Sequence, residues 1–248
     1  MAKGKHLSKE DLEDVNTWED LSKPKIGNGG IRINDVRLSV KCLNEKQKEL
    51  KKAIEEKEIV ICVGPAGGGK TYLSLLTALH LLKIEPKYKK IVLIKSLQTI
   101  KGEEVGTLPG TLQEKLNPYM NSFTSNLDKI FGSKAVTHQL IENGTIEIVP
   151  IAYIRGITFD DSIIVCDETQ NINTGTFRTL ITRIGSNSKI VFLGDVQQCD
   201  FIDKDKSCLT NVFNLFKNES YAKCVQFLED DCVRNPLIPK ILRILGKK

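Results

Sequence analysis

The stretch Gly64-Pro65-Ala66-Gly67-Gly68-Gly69-Lys70-Thr71 fits the pattern G-x-x-x-x-G-K-[ST], and nothing else in the sequence constrains the fold as strongly. Backbone N–H groups of such a turn can converge on phosphate oxygens only where no Cβ stands in the way. That accounts for Gly64, Gly67, Gly68 and Gly69, with Pro65 and Ala66 completing the loop. The flanks are the required ones. Glu58-Ile59-Val60-Ile61-Cys62-Val63 is an apolar run of buried-strand character, and Thr71 to Leu82 carries helical spacing. A helix starting at the loop adds unpaired N–H groups and partial positive charge. Lys70 is placed to reach the β- and γ-phosphates and the Thr71 hydroxyl to coordinate Mg²⁺, so the pattern predicts binding of a nucleoside triphosphate.

Further strand-like stretches follow at Ile91–Ile94, Thr145–Val149, which alternates, Ser162–Cys166, Lys189–Leu193 and Cys224–Leu228, separated mostly by segments of helical spacing. Strands alternating with helices predict an α/β fold with a mostly parallel sheet covered on both faces. Ligands of such sheets sit beyond the carboxyl ends of the strands. Leu43, Gln47, Leu50 and Ile54 mark a helix before the first strand, and Asn173 or Thr174 is placed to cap a helix running to Arg183. Residues 1–40 mix charge with Pro24, Gly27, Gly29 and Gly30 and read as an N-terminal extension, leaving 41–248 as the folded domain. The Gly- and Pro-containing segment Lys95–Gly110 reads as a functional loop.

Composition narrows the setting. The hydrophobic fraction of 40% and charged fraction of 27% suit a globular protein, and no apolar run approaches the roughly 18 residues of a membrane span. The first residues, Met1 to His6, are charged and lack the apolar core of a secretory signal. The seven cysteines are odd in number and form no C-x-x-C pair, with Cys62 and Cys166 inside expected strands. Cys199, Cys208, Cys224 and Cys232 lack the spacing of zinc ligands. A cytoplasmic protein is expected. The net charge of +5 permits nucleic acid without demanding it.

The strand at Ser162–Cys166 runs directly into Asp167-Glu168. In a site with a phosphate loop, Asp167 is placed to hold hydrated Mg²⁺ and Glu168 to orient or activate the attacking water. The next strand ends in Gly194-Asp195-Val196-Gln197-Gln198, where the neutral amide of Gln198 can meet the γ-phosphate or the water without competing for its proton. Hydrolysis also calls for a cation at the γ-phosphate. Arg155, Arg183 and Arg234 qualify, with Arg183 suited to a neighbouring subunit's site and Arg234 to its own. Gln47 could read an adenine edge through a bidentate amide pair, and the absence of any [NT]-K-x-D sequence argues against guanine.

Taken together, the phosphate loop continued through Tyr72-Leu73, Leu108-Pro109-Gly110-Thr111-Leu112-Gln113-Glu114-Lys115, Ala152-Tyr153-Ile154-Arg155-Gly156, Asp167-Glu168-Thr169-Gln170-Asn171, Leu180-Ile181-Thr182-Arg183-Ile184-Gly185 and Gly194-Asp195-Val196-Gln197-Gln198 resemble the PhoH-like family of P-loop ATPases. The resemblance covers about residues 40 to 245. It implies a RecA-like core related to the first domain of superfamily 1 helicases, an ATP site extending to Tyr72, and ATPase activity linked in that family to phosphate starvation and, in fusions with a PIN ribonuclease domain, to RNA. Compact versions occur in bacteriophages. Thr169 stands where the family commonly has Ala, and Gly68 where it has Thr. No PIN-like stretch precedes the core, so nuclease chemistry is not expected. The resulting expectation is Mg²⁺-dependent ATP hydrolysis coupled to RNA or single-stranded DNA by a homo-oligomer, a hexameric ring among the candidates. The alternative is a slow nucleotide-dependent switch in a phosphate-starvation or stress response, acting on a protein partner. Aromatic residues are sparse, with Trp18 in the extension, and no stacking platform for single strands stands out.

Overall fold

The computed structural model describes residues 30–96, 112–201 and 207–235 together with positions 237, 240, 241 and 244, and the side chains of 112–120 lie outside the description. The Lys95–Gly110 loop, beyond Ser96, and residues 108–111 of the 108–115 motif therefore fall outside the described residues, as do the side chains of 112–115. Six strands, β1 (Ile59–Val63), β2 (Lys90–Lys95), β3 (Ile146–Pro150), β4 (Ser162–Asp167), β5 (Lys189–Gly194) and β6 (Ala222–Gln226), form one all-parallel sheet in the order β3-β2-β4-β5-β1-β6. The helices are α1 (Glu45–Glu56), α2 (Lys70–Ile84), α3 (Leu112–Phe131), α4 (Lys134–Glu142), α5 (Thr174–Ile181) and α6 (Leu209–Phe216). Among the described residues no helix is long and apolar enough to cross a membrane.

Strand alternation divides the core into two layers. In β1, Val60 and Cys62 face the layer built with α1 to α4, while Ile59, Ile61 and Val63 face the layer built with α5 and α6. Burial on both faces explains why the central strands β1, β2, β4 and β5 read as continuous apolar runs. β6 spans 222–226 rather than the expected 224–228, because it pairs with β1 in the register Ile59↔Ala222. The chain then leaves the sheet at Phe227, whose side chain is 1% exposed.

Asn44 caps α1, its side chain accepting from the Gln47 amide at 2.8 Å, and Asn173 caps α5 by accepting from Thr176 at 2.9 Å. At the other end of α1, the Lys189 ammonium donates to the Ile54 and Glu55 carbonyls. Burial first, and Lys87 second, push Lys189 down to about 8. The described part of the N-terminal extension does not stand apart from the domain. Ile31 and Val36 are buried, Ile31 exchanges hydrogen bonds with Gln139 and Asn143, and Lys83 donates to the Val36 carbonyl.

Candidate nucleotide site

The phosphate loop leaves the carboxyl end of β1 and enters α2 through Gly69, which takes φ 79° as the helix N-cap. No side chain caps this helix, so its first N–H groups stay available to an anion. The loop is braced from behind. Val233 N–H donates to the Gly67 carbonyl at 3.0 Å and Gln47 Nε2 donates to the Gly68 carbonyl at 3.0 Å. In a trans peptide the C=O and N–H point in opposite directions, so these two bonds turn the Gly68 and Gly69 N–H groups away from the bracing segments. Lys70 Nζ lies over the loop, donating to Gly64 O at 2.7 Å and Pro65 O at 2.8 Å. Phe227 fills the underside: a Cβ on Gly64, at φ 149°, would stand 2.6 Å from both the Phe227 Cβ and its carbonyl oxygen.

In the sheet, β5 separates β1 from β4, so the end of β5 lies between the phosphate loop and the Asp167-Glu168 pair. The Thr71 hydroxyl donates to Asp167 Oδ2 at 3.1 Å, and Asp167 Oδ1 accepts from the Glu168 N–H at 3.0 Å. Burial, and secondarily the neighbouring Glu168 carboxylate, push the Asp167 carboxyl up to about 6. A hydroxyl and a desolvated carboxylate converging at the phosphate loop form a hard-oxygen pair suited to Mg²⁺. Glu168 holds a left-handed backbone conformation at φ 56°, rare for a non-glycine residue.

The turn Thr169–Asn171 then ties three strand ends together. Gln170 Nε2 donates to Glu168 Oε2 at 2.7 Å and to the Gln198 carbonyl at 3.4 Å, while Gln170 Oε1 accepts from Asp195 N–H at 3.0 Å. Asn171 and Asp200 exchange a reciprocal pair of hydrogen bonds, and Ser96 at the end of β2 donates to the Asn171 carbonyl.

The anticipated residues therefore fall into groups. Gly64 to Thr71, Asp167, Glu168 and Gln198 come together at the carboxyl ends of the strands, with Gln198 exposed in the turn after β5 and Tyr72 half-buried in the first turn of α2. Gln47 is 4% exposed and its amide is engaged on both sides, accepting from Leu43 N–H at 2.7 Å as well as donating to Gly68. Arg234 is exposed and follows Val233 directly. Arg183 lies at the opposite end of the sheet, where its carbonyl accepts from Phe159 N–H ahead of β4, and its Nη1 donates to the Ile157 carbonyl at 3.3 Å. Arg155 is exposed in the connection from the edge strand β3 to β4. Sequence reasoning assigns no individual role to Gln170, Phe227 or Val233, because their partners lie on other strands and segments.

A glycine-rich loop feeding an uncapped helix, with paired acids two strands away on a parallel sheet, defines a P-loop nucleotide-binding domain of RecA-like α/β fold. Comparison with known families is more particular: the model described as PhoH-like protein matches residues 39–246, and this chain belongs to that family. It is 36% identical over 210 residues to the PhoH-like protein of Bacillus subtilis (strain 168), covering 85% of this chain and 65% of that protein. With the protein PhoH of Escherichia coli (strain K12) it shares 34% identity over 200 residues, 80% of this chain and 56% of the other. The chain thus spans less than two thirds of these relatives' length. Among solved structures, the large terminase of a thermophilic bacteriophage superimposes with a TM-score of 0.52 at 12% identity, over 84% of this chain and 51% of that one, a likeness of fold alone.

Proposed function

We propose that this chain is a Mg²⁺-dependent ATPase that couples hydrolysis to RNA or single-stranded DNA. The observation that carries the reading is the Thr71 hydroxyl meeting the Asp167 carboxylate at 3.1 Å beside the phosphate loop, with Glu168 next in the chain. Thr71 and Asp167 would hold Mg²⁺, which when bound neutralises charge across the β- and γ-phosphates. Lys70 and the glycine N–H groups orient the triphosphate. Glu168 draws a proton from the attacking water, and Gln198 contacts the γ-phosphate or that water. Arg234 serves its own site or Arg183 or Arg155 a neighbour's, the latter in a homo-oligomeric ring. Gln47 acts on the nucleotide by fixing the loop, its amide being occupied by backbone partners.

Steady-state phosphate release with Mg²⁺, alone and with single-stranded RNA or DNA, tests the reading. Turnover stimulated by nucleic acid and lost in Lys70→Ala and Glu168→Gln is expected. A second reading, a regulatory switch with a protein partner, draws support from the few exposed aromatics among the described residues, Tyr153 and Tyr221. Slow turnover indifferent to nucleic acid would favour it.

A further inference from the structure

Gln170 is 1% exposed, yet both ends of its amide are spent at the edge of the site rather than in the core. Its Nε2 donates to Glu168 Oε2 at 2.7 Å, the length of a strong charge-assisted bond, while its Oε1 accepts from the Asp195 amide at 3.0 Å. The same Nε2 lies 3.4 Å from the Gln198 carbonyl. A second feature keeps the amide there. A Cβ on Gly194 would come within 2.9 Å of Gln170 Oε1 and 3.2 Å of its backbone nitrogen, so Gly194 leaves the space the side chain needs. The backbone of the turn is fixed independently by the Ser96, Asn171 and Asp200 contacts.

We propose that Gln170 is the positioning residue for Glu168, holding one carboxylate oxygen so that the other faces the water, and linking that carboxylate to the Asp195–Gln198 turn at the end of β5. The inference rests on the hydrolytic reading of Glu168 given above. A neutral amide suits the task, since it donates to a carboxylate without offering it a transferable proton. Through Oε1 and Nε2 together, a shift of the β5 turn on contact with the γ-phosphate moves the carboxylate with it. Binding of a nucleoside diphosphate, which has no γ-phosphate to meet the turn, does not pass through Gln170, whereas the rate of water attack does.

The experiment compares kcat and KM for ATP, and ADP affinity, in Gln170→Ala and Gln170→Glu, each alone and combined with Glu168→Gln. ADP affinity within about threefold of wild type and a kcat at least about tenfold lower are expected for Gln170→Ala. Gln170→Glu, nearly isosteric but with an acceptor facing Glu168, is expected to lower kcat further. In the Glu168→Gln background, Gln170→Ala should change the residual single-turnover rate by less than about twofold, because its partner is already gone. Near-normal kcat in Gln170→Glu, or an equal loss in both backgrounds, overturns the inference while leaving Glu168 in its role. Normal turnover in Glu168→Gln alone overturns the hydrolytic reading and the inference with it.

Discussion

At Asp167 the demands of the site and of stability conflict. Its folded pKa of about 6 lies above the ordinary 3.8, so between these values the folded chain holds the proton that the unfolded chain releases. The stability of the nucleotide-free protein therefore falls as pH rises from about 4 to 6 and stays lowered above that, by up to about 3 kcal/mol before solvent screening reduces it, the residue as a whole being incompletely buried. Asp167→Asn is expected to melt higher than wild type at pH 7.5 without Mg²⁺, to match it near pH 4, and to lose Mg²⁺-dependent turnover. Equal melting at both pH values would contradict the desolvation. Gln47 gives a second expectation. Because its amide holds Gly68 and Leu43 rather than a base, Gln47→Ala should weaken ATP, ADP and GTP alike, by about tenfold for one or two lost hydrogen bonds, leaving the ratio of ATP to GTP affinity unchanged in equilibrium binding. A loss confined to adenine nucleotides would restore the base-reading role. Lys70, Thr71 and the Asp167-Glu168 pair are legible in sequence since their chemistry is packed into contiguous motifs. The roles of Gln170 and Gln47 are not, because the first acts across strand ends and the second across 21 residues of chain onto Gly68.

Between residue and molecule, the element that matters most to the loop is the one following β6. Its Phe227 amide donates to the Val63 carbonyl at 2.8 Å, its ring underlies Gly68, and Val233 holds Gly67. The strand pattern locates β6 only to within two residues, since Val225 and Phe227 are both apolar and only the pairing with β1 shows that the ladder ends at Gln226. The two glycines above Phe227 should respond differently to substitution. A Cβ on Gly68 meets the ring at Cδ1, 2.8 Å away, whereas a Cβ on Gly64 meets the Phe227 carbonyl oxygen, which is backbone. Gly68→Ala should cost about 1–3 kcal/mol, part of it recovered by Phe227→Leu when compared in that background. Gly64→Ala, with positive φ added to the clash, should cost more and recover nothing from Phe227→Leu. Thermal or urea melts of the two glycine variants, of Phe227→Leu and of the two double variants would decide, and equal rescue of both glycine substitutions would show that the backbone can move.

For the whole molecule, the placement of Arg183 sets the question of assembly. The phosphate loop stands at the carboxyl end of the sheet and Arg183 at the amino end, with the five residues of β1, about 17 Å of strand, between the two levels. Arg183 thus cannot serve the site of its own chain, and if it completes a site at all it completes that of another copy. Such a head-to-tail contact is heterologous and closes into a ring when the rotation permits. Lys70→Ala removes a subunit's own site but leaves its Arg183, and Arg183→Ala does the reverse. Each variant alone should be inactive. Mixed in equal amounts and allowed to exchange, a competent site needs an intact phosphate loop from one partner and an intact arginine from the next, so about one site in four should recover. Turnover of the mixture near a quarter of wild type, rising with protein concentration, is the expected result. A mixture no more active than its components, or full activity in Arg183→Ala alone, would take Arg183 out of the reaction and leave Arg155 as the cation for a neighbour's site or Arg234, next to the residue that braces Gly67, as the cation for its own.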